Sequence, residues 1–320
     1  MNRVMFTSEH PLGRAENLRA VFDAYDGPKD FVRGIRHMRT APQKGYSVVV
    51  CDSLPEPMAE KRSTSLVVIN HGILGGKLYA LDERRDIGER DFGQIDHVIS
   101  SSAGCVPIAS RMFGIPEERV LPLGMPRTDA YIGKAKGDGK TPLAEYRRAY
   151  LYAPTYRASG EGCLPRIDWR LLSELLDRDE CIAVKRHYFD REPLVGWQLP
   201  NVIEVEPMLP SAPWLIDCDV LLTDYSSIVL DAYVLGKPSV LAIDGMDEYM
   251  AARGMYMPYP ESYGSRWIVA EGHESALLAM LRNASELGMR KAERECLRLT
   301  ADRCDGHSTQ RVCDLIRRLA

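Results

Sequence analysis

The chain has no surplus of positive charge. Its formal net charge is −4, which excludes a uniformly basic, nucleic-acid-coating surface and leaves room only for local basic patches. It also has no uninterrupted apolar run near the roughly 18 residues that cross a bilayer, so the expected protein is soluble or peripheral. The opening MNRVMFTSEHPLGR lacks a long apolar core and is not expected to act as a secretory signal. Signatures of several chemistries are missing. There is no His-Glu-x-x-His and no Cys-x-x-Cys, and no Gly-x-Ser-x-Gly elbow around a nucleophile. The eight cysteines are scattered without ligand spacing. A chain this long needs no disulfide framework, so reduced and mostly buried thiols of a cytosolic protein are expected. No low-complexity tract or solenoid-length repeat is present.

What remains is the composition of an ordinary folded protein, 45% hydrophobic over 320 residues, a length that favours two α/β units. The first half alternates short valine-rich runs with helical patterns. Tyr46–Cys51, Leu66–Asn70, His97–Ser100 and Arg119–Leu123 predict buried parallel strands. Helices are expected at Ala15–Ala24 and near Cys105–Phe113. Gly133–Lys140, reading GKAKGDGK, breaks the pattern and suits a linker. The alternation then restarts, with strands at Tyr150–Ala153, Cys181–Lys185, Val202–Val205, Val220–Thr223 and Val240–Ile243. Helices are expected at Trp169–Leu176, Ala212–Asp217, Glu274–Leu287, Met289–Thr300 and Thr309–Leu319. The expected division is a first domain at 1–136, a linker at 137–148 and a second domain at 149–320, whose last helix packs back on the first. Two such halves imply doubly wound sheets facing a central cleft, with ligands at the carboxyl ends of the strands.

Four polar clusters follow expected strands. The richest is in DVLLTDYSSIVLDAYVLGKPSVL at Asp219–Leu241, where Ser226 and Ser227 open a helix that Gly236 can close. Hydroxyls, free backbone N–H groups and the positive end of the helix dipole suit a phosphate there. The plainer reading is that the serines only cap the helix. Asp231, one turn further on, is either a ribose ligand or an exposed helix acid. A second cluster, Thr155 with Arg157, offers a hydroxyl and a guanidinium to phosphate oxygens, or else a surface arginine. The third, Lys185-Arg186-His187, suits a diphosphate or is a solvated basic edge. Strand alternation favours His187 as the group that faces the cleft and turns Arg186 away. The fourth is His71-Gly72 with Gly75, Gly76 and Lys77, either a close approach to a ligand or a tight turn. Asp217-Cys218-Asp219 matches a cation-holding Asp-x-Asp, but at the beginning of its strand, away from the other clusters. No metal site is expected.

In their order and spacing these segments resemble the CDP-glycerol glycerophosphotransferase family, which includes teichoic-acid primases and polymerases. The resemblance rests on His71-Gly72 with Lys77, GMPRTD at Gly124–Asp129, LYAPTYR at Leu151–Arg157 and the strand ending in His187. It continues through TDYSSIVLDAYVLGKP at Thr223–Pro238 and DGHSTQR at Asp305–Arg311. It implies a GT-B-like fold and transfer of a polyol phosphate, glycerol phosphate first, from a CDP-linked donor to an acceptor hydroxyl with release of CMP. By resemblance His71 is the general base and His187 stabilises the leaving group. Thr155, Arg157, Asp224, Ser226, Ser227, Asp231, Asp305, Gly306, Ser308 and Arg311 then bind the donor, with Gly72, Gly75, Gly76, Lys77 and Arg127 in loops near the site. No cofactor is implied beyond the CDP-polyol itself. The implied acceptor is a lipid-linked saccharide or polyol phosphate, met at the inner face of the plasma membrane, where the cationic last helix (Arg311, Arg317, Arg318) either touches lipid or is merely solvated. The chain departs from the family pattern at Tyr188, at Ile73-Leu74 in the His-Gly loop, at His307, and at Tyr256–Tyr263 in place of a Pro-Gly-Pro segment. Two other readings share the residues: a nucleotide-sugar glycosyltransferase or epimerase, and a catalytically silent nucleotide-binding scaffold.

Overall fold

The computed structural model describes residues 3–53, 55–59, 61, 63–70, 72, 92–155, 167–187, 198–252 and 254–320. The chain divides into two compact units, one made of residues 1–132 with 298–320 and the other of residues 133–297.

Unit 1 is built on six parallel strands: β1 (Arg3–Ser8), β2 (Lys29–Arg33), β3 (Tyr46–Cys51), β4 (Ser65–Ile69), β5 (His97–Ser100) and β6 (Val120–Pro122). Their order is β2-β1-β3-β4-β5-β6. Consecutive valines of β3 are buried, as in a parallel sheet covered on both faces. On one face Val4, Phe6, Val48, Val50, Val67 and Ile69 meet Leu18 and Val21 of α1 (Glu16–Ala24). The same face takes Val312, Leu315 and Ile316 of the last helix, α9 (Ser308–Leu319). Each such fully buried aliphatic side chain contributes roughly 1.5–3 kcal/mol. The amphipathic pattern of α9 is therefore spent on the core of unit 1. Two of its arginines are also engaged, Arg311 with Asp305 and Arg317 with Asp26 and Asp314. Another helix, α2 (Val106–Phe113), follows β5. No described helix is long and apolar enough to cross a membrane.

Unit 2 repeats the principle with β7 (Arg148–Tyr152), β8 (Glu180–Lys185), β9 (Val202–Val205), β10 (Val220–Thr223), β11 (Ser239–Ala242) and β12 (Arg266–Ile268). All its pairings are parallel, in the order β12-β11-β10-β7-β8-β9. Tyr150, Tyr152, Ile182, Val184 and Leu222 pack against Trp169 and Leu172 of α3 (Trp169–Leu175), and against Leu277, Leu278 and Leu281 of α7 (Glu274–Leu287). The sheet also carries α4 (Ala212–Asp217), α5 (Ile228–Val234) and α6 (Met246–Ala252), and the boundary between the units falls within α8 (Lys291–Ala301). Residue Gly236, with φ 71°, donates to the Tyr233 carbonyl at 2.9 Å and ends α5 in the left-handed conformation that glycine favours.

The glycine-lysine stretch after residue 133 is folded onto unit 2. The buried Asp217 carboxylate accepts the amides of Gly137 (2.8 Å), Gly139 (2.9 Å) and Thr141 (2.8 Å), and the Thr141 hydroxyl at 2.8 Å. Beside it Asp219 takes Lys136 Nζ at 2.6 Å and the Ala149 amide at 2.8 Å. Both acids of the Asp-x-Asp pattern are thus spent on anchoring the loop that leads into β7. Burial opposes the charge on Asp217, but the Thr141 groups and the two glycine amides hold its carboxyl below the usual range.

Candidate functional site

The strand order of unit 2, read from its other edge, is β9-β8-β7-β10-β11-β12. In this arrangement the chain winds one way from its first strand and then returns to wind the other way. The turning point lies between β7 and β10, and the crevice beyond the carboxyl ends of such a strand pair is where doubly wound sheets bind ligands.

The two strands stay stitched together past their ends. The Ala153 amide donates to the Leu222 carbonyl at 3.0 Å, and the Thr223 hydroxyl donates to the Ala153 carbonyl at 2.6 Å. The Thr155 amide then donates to Asp224 Oδ1 at 2.7 Å. Thr155 and Asp224 are 5% and 3% exposed, so this contact is sheltered from water and correspondingly strong. The main chain continues through Tyr225 into Ser226 and Ser227, both half-buried, and into α5. Ser227 occupies the N-cap position but makes no side-chain cap bond, and Ser226 Oγ accepts only a long 3.5 Å contact from the Ile228 amide. Their hydroxyls do little for the helix.

Asp231 is 2% exposed, so it is a buried acid of α5 and the exposed-acid reading fails. At the end of β8, Lys185 and Arg186 are also buried, at 5% and 2%, while His187 is half-buried. Lys185 Nζ donates to the Pro207 carbonyl at 2.8 Å, and Arg186 lies 3.8 Å from Glu204. A solvated basic edge is thereby ruled out. Two of the three basic side chains are built into the protein, and His187 is the most exposed of them.

An aromatic group the sequence did not single out braces the serine loop. Tyr225 stacks on Tyr249 of α6, with centroids 3.9 Å apart and planes at 8°, and lies 5.3 Å from Tyr259. Its hydroxyl donates to the Asp244 carbonyl at 2.9 Å. Asp244 itself takes the amides of Ala270 and Glu271 beyond β12. The only sequence sign of this brace was that Tyr256–Tyr263 replaces a Pro-Gly-Pro segment.

The remaining candidates lie in unit 1. Arg311 donates from both terminal nitrogens to Asp305, at 2.8 and 3.0 Å, and from Nε to the Leu123 carbonyl at 2.8 Å. The Arg311 pairing holds the Asp305 carboxyl below its usual range. Asp129 accepts the Ser308 amide at 3.1 Å and the Thr309 amide at 2.7 Å, capping α9. The segments GMPRTD and DGHSTQR are thus one interlocked structure. A Cβ on Gly124 would lie 2.2 Å from the Arg303 carbonyl oxygen and 2.3 Å from Ser308 Oγ, which explains the glycine there. Gly306, with φ 89°, belongs to the same lock. The Arg127 amide donates to Asn17 Oδ1 at 2.9 Å, and Asn17 Nδ2 donates to the Asn70 carbonyl at 2.8 Å. This ties α1 to the residue two before Gly72, which lies in a bend after β4. His71, Gly75, Gly76, Lys77 and Arg157 lie outside the described residues. The site residues therefore fall into two groups: Thr155, His187, Asp224, Ser226, Ser227 and Asp231 in unit 2, and Gly72, Arg127, Asp305, Gly306, Ser308 and Arg311 in unit 1.

Comparison with known proteins gives this architecture a family. Residues 23–318 match the family model described as CDP-glycerol:poly(glycerophosphate) glycerophosphotransferase, and the chain belongs to that family. It is 24% identical over 218 residues to the teichoic acid ribitol-phosphate polymerase TarL of Staphylococcus aureus, covering 62% of this chain and 39% of that one. It is 26% identical over 243 residues to the teichoic acid glycerol-phosphate transferase of the same organism, covering 69% of this chain and 60% of that one. The chain therefore spans less than two thirds of the length of these curated relatives. Among solved structures, the wall teichoic acid polymerase TagF superposes with a TM-score of 0.78 at 20% identity, covering 99% of this chain and 89% of that one. The fold is thus the expected GT-B-like α/β class, with two Rossmann-type parallel sheets.

Proposed function

We propose that the protein transfers a polyol phosphate from a CDP-linked donor to an acceptor hydroxyl, releasing CMP, in the synthesis of a teichoic-acid-like cell-surface polymer. The observation that carries this reading is the grouping of Thr155, Asp224, Ser226 and Ser227 at the turning point of the unit 2 sheet, in a chain of this family. Glycerol phosphate is the first choice for the transferred group, and relatives named for glycerol and for ribitol both match.

In the proposed reaction the acceptor oxygen attacks the phosphorus that carries the polyol. The bridging P–O bond of the diphosphate breaks, its electron pair leaves with CMP, and the acceptor proton passes to His71. A neutral imidazole suits that task near neutral pH. The transition state spreads charge over phosphoryl oxygens and needs alignment and hydrogen-bond donors. Ser226 and Ser227, with the amides at the start of α5, Thr155, Arg157 and His187, are assigned to the diphosphate, and His187 to the departing CMP. Asp231 is assigned to the ribose. Asp305, Gly306, Ser308 and Arg311 are assigned to the donor by family resemblance, although Arg311 and Asp305 are paired with each other. No cofactor is assigned. The proposed acceptor is a lipid-linked saccharide or polyol phosphate at the cytoplasmic face of the plasma membrane.

The test is to incubate the purified chain with CDP-glycerol, CDP-ribitol and UDP-sugars, each with candidate acceptors, and to follow nucleotide release by chromatography. CMP release that depends on the acceptor and is lost in His71→Ala and Ser226→Ala supports the proposal. Turnover of a UDP-sugar with no CDP-polyol turnover would sink it.

A further inference from the structure

The loops that follow β8 and β9 are joined by one buried cation. Lys185 is the last residue of β8 and is in register with Val205, the last residue of β9. It keeps 5% of its surface. Its Nζ donates to the Pro207 carbonyl at 2.8 Å and to the Arg186 carbonyl at 3.3 Å. The ammonium thus bridges the two chain segments just past the carboxyl ends of neighbouring strands. A lysine charge is tolerated out of water only where hydrogen-bond acceptors replace the solvent. Bonds from an ammonium to carbonyls are stronger than their neutral counterparts.

The Arg186 carbonyl belongs to the peptide unit that leads into His187. That unit is planar, so holding its oxygen also sets the plane from which the His187 backbone departs. Arg186 is held through its side chain as well. Its guanidinium lies 3.8 Å from Glu204 on β9, and the two side chains are 2% and 10% exposed. His187 follows directly and is half-buried, the open member of the three. A group that meets developing charge has to be held close to its productive geometry, and small misplacements are costly. The sequence offered Lys185 as a third cation for a diphosphate. In the fold its ammonium meets main-chain carbonyls behind His187.

We propose that Lys185 is a positioning residue that sets the His187 imidazole for the departing nucleotide without itself touching the donor. The role given to His187 rests on the proposed transferase reaction.

The experiment is a double-mutant cycle on the full chain. The kcat and KM for the CDP-polyol are measured in the unsubstituted protein, Lys185→Met, His187→Ala and the double variant, with urea denaturation of all four. The expected result is a loss of about tenfold in kcat/KM for Lys185→Met, carried by kcat more than by KM, as for residues coupled in one hydrogen-bonded network. In the His187→Ala background the same substitution costs less than about twofold, while its effect on stability is the same in both backgrounds. Equal losses of activity in the two backgrounds would make Lys185 a direct ligand or a purely structural residue, and would overturn the proposal. So would unchanged activity in Lys185→Met or in His187→Ala. If Lys185→Met does not fold, Lys185→Gln, which keeps an amide donor, takes its place in the cycle. Failure of both to fold overturns the positioning role. If the unsubstituted chain releases no CMP from any CDP-polyol, the transferase reading fails, and positioning is read by NMR from the His187 ring. CDP then shifts the ring Hε1 signal in the unsubstituted chain and leaves it unmoved in Lys185→Met. An equal shift in both, or none in either, overturns the proposal.

Discussion

The hydroxyl of Tyr259 donates to the main-chain carbonyl of Asp224 at 2.9 Å, while the side chain of Asp224 holds the Thr155 amide at 2.7 Å. Asp224 is therefore gripped on both its backbone and its carboxylate, one residue before the tyrosine that stacks on Tyr249. Both Tyr259 and Asp224 are buried. Burial raises the pKa of the Tyr259 phenol, with the nearby Asp224 charge adding to the effect, so it donates at every working pH. Replacing Tyr259 by Phe keeps the ring packing and removes this hydrogen bond from a buried carbonyl. The expected cost is about 1–3 kcal/mol of stability, read by urea denaturation. If the grip positions the serine loop, the KM for the CDP-donor rises while kcat stays near its original value. Unchanged donor KM alongside lowered stability would confine Tyr259 to a structural role.

The serines themselves separate capping from ligand binding. Ser227 makes no side-chain cap bond, so Ser227→Ala is expected to change stability by no more than about 0.5 kcal/mol. The same variant is expected to lose about tenfold or more in kcat/KM for the CDP-donor, as when an oriented donor to a phosphoryl group is removed. A drop of about 1 kcal/mol in stability with full activity would instead restore the capping role.

Asp217 gives a prediction in pH. Its folded carboxyl titrates below the usual range, so its contribution to stability is fully present above the unfolded carboxyl pKa of about 3.9. That contribution is lost as pH falls through the lower folded value. Asp217→Asn removes this linkage along with the charge-assisted bonds to the loop. The expected result is a loss of about 2 kcal/mol or more near neutral pH, and a flatter stability curve below about pH 4 than in the unsubstituted chain. Denaturant midpoints measured across that range check both.

Gly124 combines a φ of 91° with contacts that leave no space for a side chain. Gly124→Ala is expected to cost more than the roughly 1 kcal/mol of a left-handed alanine, because the obstacle is the Arg303 backbone and not a flexible side-chain end. A thermal scan showing little change would mean that the lock between residues 123–129 and 303–311 can shift cheaply.

The central strands were legible because each is a short run of valine, isoleucine or leucine bounded by polar residues. Tyr46–Cys51, His97–Ser100, Val202–Val205 and Val220–Thr223 begin and end where the sequence places them. Among the described residues, four strands and α-helices were missed. β1 ends in Thr7 and Ser8, hydroxyl residues that are buried without looking apolar. β2 has no fully buried residue, β12 has three residues, and α6 carries two acids, Asp247 and Glu248, in its first turn. For the candidate site, Asp224 and the serines were visible as a local pattern after a strand. The Asp224–Thr155 contact, 69 positions apart, depends on a parallel register that no local pattern reveals. The same is true of Asp129 at the start of α9.

Unit 2 is one continuous stretch of chain, whereas unit 1 is assembled from both ends of the described sequence. During synthesis the middle of the chain has all of its own residues first. The sheet of unit 1, although nearly all of it is made earlier, keeps the part of that face not covered by α1 open until Val312, Leu315 and Ile316 emerge. Domains usually fold in the order in which they leave the ribosome; here the earliest strands are completed last. Damage to the final dozen residues would accordingly be felt at the opposite end of the chain, under β1 and α1, and not in the adjoining unit from which α8 has just departed.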